Sequence, residues 1–504
     1  MGCSLFLMIL PRDTIDRQVL DNIVFCMHFH RKILPSRLCS HGSIRRMSKK
    51  AFIALGSNVG DRVLAIHQAL EGIKASTSMR LLGTSYLYET PPMYVTTQPS
   101  FLNAACAVET SLSSVDLLKE LKTLESSIGR QASFSNGPRL IDLDIVMVED
   151  EVLASPILTL PHPRMQERAF VLLPLHDLDP MAVHPIRGTT VREMLSLLPA
   201  TEMQTVRRVF PLGKHADGSM AVVDFSKKVF VMGILNTTPD SFSDGGRYVD
   251  TTRAMPRVRE MFRDGAEIID IGGESTRPGA TAVPAAEQLA RILPIIRHVR
   301  QEGLPCILSV DTRSAEVARA AVEAGADLIN DVSGGGHDRD MLSTAAALRV
   351  PLIFMHMRGD PHTMTTLSRY NHVLLELQQE LSRPLRAAGP VLPLWMQYID
   401  PGIGFAKTAA QNLTLLKPEN LKSFTRALQD RPLLVGASRK RFVREIVSTS
   451  QSATEVEESA LDAATVATSC AAVYGGASIV RVHEVKTTRL ACDTMRAIRD
   501  ASEI

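Results

Sequence analysis

Eight short apolar runs decide how the second half of the chain folds: VFVMGILN (229–236), EIIDIGGEST (267–276), CILSVD (306–311), LINDVSG (328–334), PLIFMH (351–356), MQYIDPG (396–402), LLVGAS (433–438) and SIVRVH (478–483). Amphipathic stretches of helical period separate them. Near-continuous apolar runs are what a parallel sheet covered on both faces requires, since neither face meets water. Eight strand–helix units over about 275 residues fit a closed (β/α)8 TIM barrel, whose usual size is about 250 residues. An open, doubly wound sheet is the alternative, and the regularity of the units favours closure.

In a barrel the C-terminal strand ends converge on one face, where barrel enzymes place their chemistry. Here those ends carry Asn236, Asp270, Asp311, Asn330, His356, Asp400, Ser438 and His483. Any one of them could be a loop cap, but eight polar ends together predict an active face.

Working outward, the first half has a different rhythm. AFIALGSN (51–58), MRLLGTSYLYET (79–90), FLNAACAVET (101–110) and IDLDIVMV (141–148) read as strands, with helices over Asp61–Ala75 and Ser113–Ile128. They predict a small α+β sandwich with helices on a mixed sheet. A polar, Gly-containing stretch, Gly213–Ser219, separates the halves. The expected boundaries are 49–205 for the first domain, 206–225 for a linker and 226–504 for the barrel.

Composition narrows the function. Of 504 residues, 45% are apolar and the formal net charge is only +2, which argues against a nucleic-acid binder. No run approaches the ~20 apolar residues that span a bilayer. Seven cysteines without a CxxC pair read as reduced, buried thiols rather than a zinc site or disulfide frame. The first fifty residues hold six Arg and three Lys against three Asp, leaving the remainder at −4. This leader, residues 1–48, resembles a transit peptide, with an extension preceding a start at Met47 as the alternative. Phe6 stands where a myristoylation signal wants Ser or Thr, so no lipid anchor is expected.

Asp142 and Asp144 stand two apart on an apolar strand, so both carboxylates share one face. Such a pair suits Mg2+ held together with substrate phosphates, although a half-exposed strand would show the same alternation. The Gly137-Pro138-Arg139 turn sets a guanidinium beside them, and His162 and Arg168 follow. No GxxxxGK[ST] loop is present, so a P-loop enzyme is excluded. FIALGSNVGDR (52–62), YETPPMYVTTQPSFLNAA (88–105) and GPRLIDLDI (137–145) together resemble 6-hydroxymethyl-7,8-dihydropterin pyrophosphokinase over about residues 50–200. The resemblance implies a ferredoxin-like sandwich and transfer of pyrophosphate from ATP to the pterin hydroxymethyl group. It implies Mg2+ at Asp142 and Asp144, and phosphates neutralised by Arg130, Arg139, His162 and Arg168. The pterin ring would lie between Phe101 and Phe170, with Asn103 and Thr90 at its edge. Many relatives have an aromatic residue where this chain has Asn136, and a longer loop with a second Arg where it has 131–135.

In the second half, Arg277 follows strand two, and Arg481 and His483 alternate on strand eight; together they suggest an anion site. Asp311, Asn330 and Asp400 offer acid and amide partners to a donor-rich ring, and Lys440 a donor to a ring carbonyl or nitrogen. NTTPDSFSDGG (236–246), DIGGESTRPG (270–279), DPGIGFAK (400–407), SRK (438–440) and IVRVH (479–483) are similar to dihydropteroate synthase over about 226–504. That resemblance implies condensation of the pterin pyrophosphate with p-aminobenzoate. Asp311, Asn330, Asp400 and Lys440 would contact the pterin; Asn236, Arg277, Arg481 and His483 the leaving pyrophosphate, with Mg2+ at Asn236. Thr276, Pro278, Phe405 and Ser438 would line the p-aminobenzoate site. The whole then reads as a two-step enzyme of folate biosynthesis acting on small molecules. It resembles the plant mitochondrial fused type, homo-oligomeric through the barrel, with a cytoplasmic location as the alternative. A pterin-binding barrel methyltransferase, and a synthase with an inert N-terminal scaffold, are the competing readings.

Overall fold

Period-two alternation in the first half builds β1 (Lys49–Ser57), β2 (Met79–Thr84), β3 (Leu87–Thr90), β4 (Phe101–Thr110) and β5 (Asp142–Val148). They lie in the order β5-β1-β4, with β2 and β3 both paired to β4. Along β1, Ala51, Ile53 and Leu55 join one core with Ile66 and Leu70 of the helix Arg62–Ala75 and with Leu117 and Leu121 of the helix Ser114–Ile128. Phe52 faces the other way, onto Leu172 and Leu175 of the helix Ala169–Leu178. The sheet is therefore sandwiched, as expected. It is antiparallel throughout rather than mixed. The reason is topological: each helical crossover, β1 to β2 and β4 to β5, skips one strand, so strands running the same way are never neighbours. Side-chain caps start the first two helices, Asp61 accepting from Leu64 N at 2.9 Å and Ser113 from Asp116 N at 3.2 Å.

This structure is a computed structural model, and it describes residues 48–93, 95–131, 137–237, 251–275, 277, 279–451 and 456–501. The leader to Met47, Asn136, most of the loop before it, Thr276 and Pro278 lie outside the described residues. Residues Ser48–Ile504 form one compact unit.

A short hairpin, β6 (Leu153–Ala154) with β7 (Thr159–Leu160), follows β5. The stretch 206–225, expected as a linker, is instead the hairpin β8 (Arg207–Lys214) and β9 (Met220–Val223), which extends the first sheet from β3. The polar Gly213–Ser219 segment marks the turn of that hairpin rather than a border.

The eight apolar runs form β10 (Phe230–Asn236), β11 (Ile268–Gly272), β12 (Ile307–Asp311), β13 (Leu328–Asp331), β14 (Leu352–Met355), β15 (Gln397–Asp400), β16 (Leu434–Val435) and β17 (Ile479–Val482). All neighbours are parallel, in the order β15-β14-β13-β12-β11-β10-β17-β16. A parallel bridge from Ile399 to Leu433 joins the two ends and closes the ring. Between most successive strands a helix covers the outside.

The first sheet packs against the N-terminal ends of the barrel strands. Phe210 and Phe225 meet Tyr86, Phe230 and Tyr398 with ring centroids 5.4–6.2 Å apart. Tyr398 Oη donates to Pro211 O at 3.2 Å, and Leu394 N to Thr84 Oγ1 at 2.9 Å. The polar C-terminal strand ends are thus left at the opposite mouth.

Candidate active sites

A cavity of about 330 Å³ opens over β1, β4 and β5. Asp144 sits opposite Ala54 and Asp142 opposite Gly56, so small residues across the ladder leave room above both carboxylates. Thr90, Phe101 and Asn103 line one side; Arg139, His162, Arg168 and Phe170 line the other. Asn103 Nδ2 donates to Thr90 Oγ1 at 2.9 Å. The Arg139 guanidinium lies 5.7 Å from the Phe101 ring and that of Arg168 5.6 Å from the Phe170 ring. Of the residues expected here, only Arg130 is not on the wall; it reaches Asp142 from behind.

Asp142 is held by Arg139 at 2.5 Å and Arg130 at 2.6 Å, with Lys122 3.8 Å away. Burial works against its ionisation, but these three cations outweigh burial and keep its carboxyl below the usual range. Among the described residues the cation nearest Asp144 is Lys122, at 3.6 Å, and partial burial together with the neighbouring Asp142 raises its pKa. His162 Nδ1 accepts from Arg164 N at 3.2 Å, and burial lowers its pKa, so the ring is neutral and acts as a polar donor. Two acceptor-only carboxylates on one strand face fit a hard dication that takes its remaining oxygens from phosphate. Among the described residues no cluster of three metal-ligating side chains occurs, so substrate oxygens would complete the shell.

The sequence reading missed Asn58, Glu125 and Lys122. Asn58 Oδ1 accepts from Arg139 N at 2.8 Å. Buried Glu125 accepts from Leu143 N at 2.6 Å and pairs with Arg130 and Lys122 at 2.5 and 2.7 Å. The available signal was Leu117, Leu121 and Glu125 at four-residue steps, a carboxylate within a buried helical stripe.

At the barrel mouth, Gly272, Asp311 and Asn330 occupy one level of the ladder. Asp270 is fully buried and receives Arg481 Nε at 2.6 Å and Asn330 Nδ2 at 3.1 Å, while Arg481 Nη2 reaches Asp311 at 2.7 Å. Asp270 Oδ1 is a buried acceptor with no hydrogen-bond partner among the described residues. Burial pushes Asp311 up to about 7 even against Arg481, Asp400 up to about 6, and Lys440 down to about 8. Lys440 Nζ lies 3.8 Å from the Phe405 ring. Ser438 Oγ contacts His483 Nδ1 at 3.0 Å, and burial together with Arg481 drives the His483 pKa to about 3. Asn236 ends β10, half-buried, and Arg277 is exposed on the loop after β11.

Two expectations change. Arg481 spends its charge on two aspartates instead of standing open as one of three cations, and His483 is neutral. His356, counted among the polar ends, turns to Glu380, its Nε2 2.9 Å from Oε2. Asp270, read only as a strand end, proves central. Thr237 is fully buried with Oγ1 donating to Gly272 O at 2.9 Å.

Two family models match: 7,8-dihydro-6-hydroxymethylpterin-pyrophosphokinase over residues 52–180 and pterin binding enzyme over 232–483. The chain is 40% identical over 480 residues to the mitochondrial folate synthesis bifunctional protein of Arabidopsis thaliana, covering 90% of this chain and 84% of that one. A second Arabidopsis protein of that name, without the mitochondrial label, is also 40% identical and is 97% covered. The folic acid synthesis protein fol1 of Schizosaccharomyces pombe is 40% identical over 90% of this chain, which spans only 60% of the fungal protein's length. Among solved structures, wild-type Plasmodium falciparum HPPK-DHPS with pterin and p-hydroxybenzoate superposes with a TM-score of 0.73 at 22% identity, covering 91% of this chain and 97% of that one. None of these similarities supports a methyltransferase or an inert first domain.

Proposed function

Because the chain belongs to the family of bifunctional folate synthesis proteins, we propose that it carries both reactions. The first domain transfers pyrophosphate from ATP to 6-hydroxymethyl-7,8-dihydropterin, releasing AMP. The barrel then condenses that product with p-aminobenzoate, giving 7,8-dihydropteroate and pyrophosphate. The observation that carries this reading is convergence: residues from β3, β4, β5 and the His162–Phe170 segment line one cavity, while Asp311, Asn330, Asp400, Lys440 and Arg481 share one barrel mouth.

In the first site Phe101 and Phe170 offer flat faces to the pterin, and Asn103 with Thr90 a polar edge. Asp142 and Asp144 would hold Mg2+, which neutralises charge on the transferring phosphoryl groups. Arg130, Arg139 and Arg168 neutralise the ATP phosphates, and the neutral His162 ring orients them as a hydrogen-bond donor. In the second site Asp311, Asn330, Asp400 and Lys440 recognise the pterin. Arg277, Asn236 and His483 receive the departing pyrophosphate, and Asn236 would hold an accompanying Mg2+, which would supply further neutralisation of the leaving group. Stabilising that leaving group is the main catalytic contribution, and the ionised Asp311 shelters positive charge developing on the ring. Phe405 and Ser438 border the p-aminobenzoate.

The βαββαβ order of β1 to β5, with β2 and β3 as one broken strand, supports a ferredoxin-like description of the first domain. We place the domains at 49–205 and 226–504, joined by the β8–β9 hairpin, which continues the first sheet. Exposed Tyr474, Leu490 and Ile498 on the last two barrel helices support a homo-oligomer. The Arg-rich leader and one relative's mitochondrial name support that location; a fluorescent fusion of residues 1–48 found only in the cytoplasm would reject it.

The test is protein lacking residues 1–46 with Mg2+, ATP, 6-hydroxymethyl-7,8-dihydropterin and p-aminobenzoate, assayed for dihydropteroate and AMP. A parallel reaction receives the pterin pyrophosphate without ATP. Product in both is expected; product only in the second would leave the first domain inactive, and product in neither would end the assignment.

A further inference from the structure

Neither proposed reaction uses Lys407, yet its ammonium is set among acceptors that match its donors. A lysine has three N–H bonds to place. Gly402 O and Phe405 O each lie 2.9 Å from Nζ, and His356 Nδ1 lies 3.2 Å away. Burial depresses its pKa to about 7, with the Asp400 carboxylate favouring the charged form.

Lys407 is one of several ties on the loop it closes, and the one that gathers the loop's last carbonyls. After β15 the chain passes through Gly402, Gly404 and Ala406 at φ values of 64°, 83° and 47°, alternate residues in the left-handed region. Glycine tolerates this; Ala406 does not without help from its surroundings. The fit is also close, because a Cβ on Gly402 would stand 2.0 Å from His356 O and one on Gly404 2.8 Å from Lys440 Cδ. Asp400 Oδ1 anchors the loop's start through Gly402 N at 2.7 Å, and Asn412 Oδ1 accepts from Gly404 N at 2.7 Å. Its end, at Phe405 and Ala406, is tied inward by Lys407. His356 is itself fixed, because Nδ1 accepts from Lys407 while Nε2 donates to Glu380, which Arg358 holds in turn.

We propose that Lys407 is a positioning residue for the second site: it pins residues 401–406 so that the Phe405 ring stays against Lys440, and so sets the affinity for the arylamine. This rests on the reading that Phe405 borders the p-aminobenzoate. Lys407 itself touches neither substrate.

The test uses full-length protein carrying Lys407→Met, which keeps the stem and removes the donors, and Lys407→Arg, which restores a cation and donors in a different shape. Lys407→Met should raise the KM for p-aminobenzoate about tenfold or more, leaving the KM for the pterin pyrophosphate within about twofold and kcat within about threefold. Lys407→Arg should fall between it and the parent. ATP-dependent formation of the pterin pyrophosphate by the same molecules reports whether each variant is folded. Should Lys407→Met not fold, Lys407→Arg carries the test through the same split between the two KM values. Equal rises in both, or no rise in either, would overturn the inference. A parent protein that makes no dihydropteroate would remove the underlying reading as well; an active parent beside an unaltered Lys407→Met removes only this step.

Discussion

In the first site the Asp144 side chain is half exposed, and Lys122, the cation nearest it, is 41% exposed on a surface helix. In the barrel, Asp270 has no exposure at all, and its partners Arg481 and Asn330 are strand residues fixed by the ladder. Both sites gather carboxylates, but they balance charge differently. Near the surface, cations on flexible stems are attracted weakly and can exchange for metal or phosphate. Inside the barrel Asp270 and Asp311 share one fixed cation, Arg481, and removing it strands both without water. The first arrangement suits a site that must take up and release a highly charged nucleotide. The second suits one that must hold a ring edge in a single orientation.

The sharpest way to break this comparison is Arg481→Met. It leaves Asp270 and Asp311 unpaired, so unfolding by denaturant should show a loss of about 3–5 kcal/mol. Dihydropteroate formation should fall below detection, while any molecules still folded keep the ATP-dependent step. A loss under about 1 kcal/mol would mean that the barrel's charges are as exchangeable as those of the first site. Next in size, Asp144→Asn should slow the ATP-dependent reaction by on the order of a hundredfold or more, yet leave the unfolding midpoint nearly unchanged. Comparable damage to stability would erase the contrast.

Acidity separates Asp142 of the first site from Asp311 of the second by sign. Asp142 has a folded pKa below its unfolded value, so its contribution to stability is present above the unfolded value and lost as pH falls through the folded one. Asp311, raised to about 7, does the reverse: its contribution is complete below the unfolded value and lost as pH rises through about 7. Thermal melts of Asp311→Asn between pH 4 and 7 should therefore decline less with rising pH than those of the parent. The parent's condensation rate should climb through pH 7 as Asp311 ionises, a limb absent from the variant. The smallest effect belongs to Thr237→Val: Thr237 N still donates to Gly272 O at 2.9 Å, so the cost should stay near 1 kcal/mol or below, with both activities kept.

Much of this was legible in the chain. All eight barrel strands fall within the apolar runs, because burial on both faces writes itself directly into composition. The first cavity was nearly complete, since Asp142, Asp144 and Arg139 stand so close in sequence that local geometry places them together. Arg481 was different. Period-two alternation tells which way it points, but not that Asp270, 211 residues earlier, waits there to take its charge. Lys407 was hidden for a similar reason: a lysine at the end of a glycine-rich loop looks solvated until the loop folds back over it. The linker failed because Gly and Ser mark a hairpin turn as readily as a border.

That hairpin bears on how the two activities can be inherited. Composition would place the seam at Gly213–Ser219, but a gene divided there would strip β9 from its sheet. It would also part Met220 from the Asp61 oxygen it binds at 3.1 Å. The upstream product would lack Phe225, and the downstream one would expose Phe230 and Tyr398. Recombination that separates these domains must therefore carry the hairpin whole with one of them and resurface the other, a two-step change that a simple break cannot make.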